Sequence, residues 1–144
     1  MKLLNSFSLN MLDLTKAQQV RFTPLTTEQA GDLLGREGGS ILTGRKLESC
    51  VGHPDTAGLI GVVLDRPVTF NRVTVRLEDE EMAVVAQYIG PRLPEGVTEL
   101  PEGAQLEFVL ISVGSRTPYL FMEGFYDDQG MPWDKWSVTW ALTE

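Results

Sequence analysis

Cysteine and histidine occur once each in the 144 residues, as Cys50 and His53, and that scarcity removes several chemistries at once. One cysteine excludes an internal disulfide. No group of His, Cys, Asp and Glu has the spacing of a metal-ligand set, so no metal and no cofactor are expected. Phosphate-binding glycine loops of the Walker or dinucleotide type are missing as well. No apolar run approaches the roughly 20 residues that span a bilayer. Asn5 and Ser6 also interrupt the opening Met1-Lys2-Leu3-Leu4 before it reaches signal-peptide length. The expectation is a cytoplasmic protein with no membrane partner. Positive charge is short too, with 12 Lys and Arg against 20 Asp and Glu, a net of −8. That sign disfavours DNA and long RNA, whose phosphates need a basic face. A small anion held by a few arginines remains compatible with it.

What is present reads as one α/β fold. The length suits a single domain, and 42% hydrophobic residues supply an ordinary core. Residues 2 to 9 are predicted as a first strand. Thr26 and Gln29 have the spacing of a capping box, and Ala30, Leu33 and Leu34 follow on one helical face. Gly38-Gly39 would stop that helix, with a loop or short hairpin over 40–46 around Gly44. Leu47 to Val51 reads as a strand ending at Gly52. Pro54 then opens a helix reaching about Leu64, apolar on nearly every side and so expected between layers. Gly58 and Gly61 weaken it by about 1 kcal/mol each relative to Ala. Asn71 to Leu77 alternates, with Val73, Val75 and Leu77 on one side and Arg72, Thr74 and Arg76 on the other. Met82 to Ile89 and Leu106 to Val113 are further strands. The order predicts a mixed β-sheet with helices packed on it over residues 1–113.

Residues 114–144 differ. They hold all three tryptophans, Trp133, Trp136 and Trp140, after Tyr119, Phe121, Phe125 and Tyr126. Trp136, Val138, Trp140 and Leu142 alternate, and Asp128-Gln129-Gly130 signals a turn. An aromatic-rich C-terminal hairpin extension packed on the same domain is expected. Its aromatics suit a sheet edge or dimer seam better than a platform for bases, although rings do stack on bases.

His53 is the residue through which imidazole chemistry would have to run. A strand passing through Gly52 directly into a helix leaves backbone amides free, and these with the helix dipole favour phosphate. Thr56 adds a hydroxyl in the same turn, and His53 can protonate a leaving oxygen. The plainer account is that His53 and Thr56 cap the helix. Cys50 is read as a small core residue rather than a nucleophile. Arg72 and Arg92 carry forks suited to phosphate, or else make surface ion pairs. Glu95 can meet a ribose hydroxyl, or else sits in a solvated turn.

Four blocks in order resemble one family. They are Asn5-Ser6-Phe7-Ser8-Leu9-Asn10-Met11-Leu12, Val51-Gly52-His53-Pro54-Asp55-Thr56-Ala57, Phe70-Asn71-Arg72-Val73, and Gln87 through Arg92-Leu93-Pro94-Glu95-Gly96. From about Leu3 to Val113 the chain is similar to the viral type III anti-CRISPR ring nucleases. The resemblance implies a homodimer that binds cyclic tetraadenylate across its two-fold axis. It implies His53 as the acid that protonates the departing ribose oxygen, assisted by Glu95, while the ligand's own 2′-hydroxyl attacks phosphorus without a metal. Asn5, Ser8, Thr56, Arg72, Gln87 and Arg92 would contact the ligand. Linear products would result, and a host's cyclic-nucleotide defence would be switched off. The interval from Gln87 to Arg92 is five positions, against four usual in the family, through Gly90-Pro91. Gly38 to Leu47 reads as an insertion, and the segment after Val113 has no counterpart in compact members. A different cyclic oligonucleotide, a sponge that binds without cutting, and a protein-interaction module therefore stay open.

Overall fold

The structure is a computed structural model that describes residues 1–35, 47–97 and 99–141. Along it run β1 (Lys2–Leu4), a 3-10 turn (Leu9–Met11), β2 (Val20–Leu25), α1 (Thr27–Leu34) and β3 (Glu48–Ser49). Then come α2 (Pro54–Leu64), β4 (Met82–Ile89), β5 (Gln105–Val113), β6 (Pro118–Tyr126) and β7 (Pro132–Trp140). Five strands form one sheet in the order β2-β5-β4-β1-β3, and β6 and β7 make a separate hairpin. β1 is parallel to β3 and β4, while β4 with β5 and β5 with β2 are antiparallel. The expected mixed sheet, packed helices and C-terminal hairpin all form.

Local chemistry sets the helices. The Gln29 amide donates to Thr26 Oγ1 at 3.0 Å, and the Thr26 amide donates back to Gln29 Oε1 at 2.9 Å. This capping box satisfies amides that a helix start otherwise leaves bare. At the far end of α1 the Arg66 guanidinium donates to the carbonyls of Leu34 and Gly35. A cation there also suits the negative pole of the helix. The predicted stop at Gly38-Gly39 and the loop over 40–46 lie outside the described residues. α2 begins at Pro54 and ends with Asp65 in the left-handed conformation, φ 53°. The chain then folds back, and the Arg66 amide donates to the Gly61 carbonyl at 2.9 Å. A Cβ at Gly61 would stand 2.8 Å from the Arg66 carbonyl oxygen, so the return path requires a glycine inside the helix.

The sheet has two unlike faces. Leu3, Val84, Phe108 and Leu110 face the helices, where Leu33, Leu34 and Ile60 meet them. Val138 and Trp140 of β7 belong to that same cluster, so the hairpin completes the helical layer. β7 lies along α1, and the Trp136 amide donates to Asp32 Oδ2 at 3.0 Å. On the second face Leu4, Ala83, Val85 and Ile111 are covered by Leu12 and Leu77.

Four expectations change. The first strand stops at Leu4, and the chain then enters the 3-10 turn. Leu47 to Val51 reduces to the two residues of β3, plus an isolated parallel bridge from Val51 to Phe70. Asn71 to Leu77 is not a strand. It lies across the second face, with the Leu77 amide on the Met11 carbonyl at 2.7 Å, so its alternation reports one-sided burial without a ladder. α2 buries Ala57, Leu59 and Ile60 but leaves Gly58 and Val62 exposed, because nothing among the described residues covers its outer side. β2 has no counterpart among the expected elements, and it carries Pro24. It is an edge strand, the position where proline is tolerated.

Candidate anion site at the start of the second helix

β1, β3 and β4 run in parallel, so their carboxyl ends open on the same end of the sheet. Crevices beyond such ends are where α/β sheets commonly hold ligands. Asn5 follows β1, Gly52-His53 follows β3, and residues 90–96 follow β4. α2 starts there, presenting the positive pole of its dipole. The Gly52 amide donates to Asn5 Oδ1 at 3.3 Å, tying the first two segments together. The third neighbour is Arg72. Its stem passes Gly52 so closely that a Cβ there would meet Arg72 Cγ at 3.5 Å. Asn71 secures that approach, its amide on the Val51 carbonyl at 2.9 Å and its Nδ2 on the Ser49 carbonyl at 2.8 Å.

The capping account of His53 does not hold. His53 occupies the N-cap position with extended backbone, but its side chain makes no capping hydrogen bond and is exposed. The ion-pair account of the arginines fails similarly. Among the described residues the ion pairs are Lys2–Glu81, Lys16–Asp79 and Arg116–Glu80, and none involves Arg72, Arg92 or His53. Arg72, an exposed cation without a carboxylate partner among the described residues, therefore stands beside a helix N-terminus. Such a group can accept an anion without first breaking a salt bridge.

The loop carrying Arg92 and Glu95 is fastened at both ends. Tyr88 Oη donates to the Pro91 carbonyl at 2.6 Å. Gly90, at φ +156°, passes so near β5 that a Cβ would stand 2.6 Å from the Ala104 Cβ. The Gly90-Pro91 pair that lengthens the interval to Arg92 is thus held against its surroundings. At the other end the Gly96 amide donates to Asp55 Oδ1 at 3.3 Å. That bond docks the Glu95-Gly96 turn onto the first turn of α2, beside His53.

Asn5, His53, Thr56, Arg72 and the Glu95 turn are thereby brought together, with Arg92 exposed on the tethered loop. Ser8 and Gln87 lie apart from this group. Ser8 leads the 3-10 turn, whose Met11 packs on the second face. Gln87 is two residues beyond Val85, the register partner of Leu4, and so faces that side as well. Cys50 is core, as expected: it is 6% exposed among second-face residues, and burial pushes its thiol pKa up, with Glu48 adding to the effect. Asp55, Asn71 and Tyr88 were missed as organisers. Only Asp55 carried a local signal, an acid in a helix's first turn. No three His, Cys, Asp or Glu side chains among the described residues group so as to hold a metal ion. A recess of about 390 Å³ lined by Gln18, Gln19, Asp79, Glu80 and Ser115 lies at the opposite end of the sheet. No helix among the described residues is long and apolar enough to cross a membrane.

The sequence profile of the STIV B116-like family matches residues 1–108, a span that holds every candidate site residue. Among solved structures, B116 of Sulfolobus turreted icosahedral virus superposes with a TM-score of 0.60 at 24% identity. The match covers 77% of this chain and 97% of that one, and at this identity it establishes the shared fold. A search of curated proteins finds no match.

Proposed function

The chain belongs to the STIV B116-like family, and from that premise we propose that it is a viral ring nuclease that cleaves a cyclic oligoadenylate, cyclic tetraadenylate first among candidates. The observation that carries the reading is His53: exposed, making no cap bond, and at the head of a helix beside Arg72, which has no ion-pair partner among the described residues. The amides of α2 and the two arginines hold a phosphodiester. The ligand's 2′-hydroxyl gives its proton to water and attacks phosphorus in line, displacing the 5′-oxygen. His53 delivers its proton to that oxygen, leaving a linear product that ends in a 2′,3′-cyclic phosphate. Because the nucleophile belongs to the ligand, the protein's main task is alignment. Arg72 and the helix amides offset the added charge on five-coordinate phosphorus.

A homodimer fits this reading, since a ring of like nucleotides matches a two-fold axis. Apolar side chains left exposed at the margin of the second face support it. Phe22 is 55% exposed there, and Val73 is exposed in the same alternation as Val75 and Leu77. Ser8 and Gln87 face the same side, so a partner seated there would carry them toward the shared ligand. Loss of the messenger would silence a host defence in the cytoplasm.

The test is incubation with a panel of cyclic oligonucleotides in EDTA, with masses read after heat release. Linear products that vanish in His53→Ala support the nuclease. Stoichiometric recovery of intact ring makes the protein a sponge. A panel that neither binds nor is cut overturns both readings and leaves the hairpin's aromatic face as a protein contact.

A further inference from the structure

We infer that Asp55 is a positioning residue that sets Glu95 against His53, an inference that rests on the nuclease reading above. Asp55 is the second residue of α2, where its charge suits the helix pole but opposes an incoming phosphate. An acid in the first turn steadies the helix start but does not help it to bind an anion. The geometry gives that acid another task. Its Oδ1 accepts the Gly96 amide across 41 positions of sequence, joining α2 to the turn that carries Glu95. Gly96 sits at φ +72°, a left-handed conformation that fixes where its amide points. The loop's other end is already fastened, by Tyr88 on Pro91 and by Gly90 against Ala104. The Asp55 bond is therefore the contact that decides how far Glu95 stands from the first turn of α2. Its carboxylate is half-buried and engaged, so it acts through Gly96 without meeting the ligand.

Two variants separate positioning from charge. Asp55→Asn keeps an oxygen that accepts the Gly96 amide, whereas Asp55→Ala keeps nothing. We expect Asp55→Asn to cleave within about threefold of wild type. Asp55→Ala is expected to lose about 10- to 100-fold in kcat with KM nearly unchanged, the size of effect that a misplaced catalytic group produces. In a Glu95→Ala background Asp55→Ala should add little further loss, because its effect is routed through Glu95. Amide hydrogen exchange, read by NMR on the same proteins, should speed up at Gly96 in Asp55→Ala and stay slow in Asp55→Asn. Wild-type cleavage by Asp55→Ala, full additivity with Glu95→Ala, or unchanged Gly96 exchange would each overturn the proposal. A wild-type protein that cuts no ring instead removes the nuclease reading itself, and the Gly96 exchange then still decides whether the bond exists in solution.

Discussion

The two ends of the central sheet differ in their ion pairs: those found among the described residues all lie at one of them. That is the end where β4 begins and β5 finishes, with Lys2 paired to Glu81, Lys16 to Asp79 and Arg116 to Glu80, although Arg21 and Arg76 there have none. At the end where the parallel strands finish, no ion pair is found among the described residues, and Arg72 and Arg92 stand without a carboxylate partner there. Exposed ion pairs contribute little to stability, so the end that holds them is not an anchor. The contrast concerns availability. In a chain of net charge −8, an arginine without a carboxylate beside a helix N-terminus adds positive potential where the helix dipole already supplies some.

The sharpest way to break the contrast is His53→Ala. Loss of a general acid should lower cleavage by about 10²- to 10⁴-fold. Stability should move by less than about 0.5 kcal/mol, since the ring is exposed and caps nothing. Thermal melts run beside the rate assay check both halves. Next, Arg72→Ala or Arg92→Ala should weaken ligand binding by about 10- to 100-fold, the value of one charge-assisted contact. That loss should shrink as salt rises. Lys16→Ala at the ion-paired end should alter neither binding nor melting, and a calorimetric titration of the three variants would show the asymmetry directly.

Arg66 marks a third kind of cation, one used for structure. Its guanidinium closes the end of α1 on Leu34 and Gly35, and burial lowers its pKa without removing its charge. Arg66→Met should reduce unfolding free energy by about 2 kcal/mol in urea titrations. Gly58→Ala acts in the opposite direction. The position is exposed and an added Cβ meets nothing within 4 Å, so stability should rise by about 0.5–1 kcal/mol. Smallest is Cys50. Its thiol pKa lies above the ordinary value, so the folded chain ionises after the unfolded one. Its contribution is complete below the unfolded thiol pKa and is lost as pH rises through the folded one. Thiol labelling at pH 8 should be slow in native protein and fast in denaturant.

Much of this was legible before any coordinates, wherever the cause was local. Thr26 and Gln29 announced their own capping box, and Asp128-Gln129-Gly130 announced the hairpin turn that Asp127 organises. Met82 to Ile89 was legible because a strand covered on both faces reads as a near-continuous apolar run. Asn71 to Leu77 misled because alternation records which side is buried, whereas a strand also needs an edge to pair with. The nearest edge, β3, is two residues long. At the site, Gly52-His53 stood out at a strand-to-helix junction. The bond from Gly96 to Asp55 did not, because a contact across 41 positions leaves no periodic trace.

The hairpin also bears on what counts as the smallest folding unit. The family profile ends at residue 108, inside β5, while Val138 and Trp140 lie in the core beside Leu33 and Leu34. Trimming this chain to the length of its family would strip one wall from the helical layer and bare α1 to water. The segment beyond the family profile is thus built into the core, and a chain cut at that boundary is expected to lose the contacts of Val138 and Trp140 with α1.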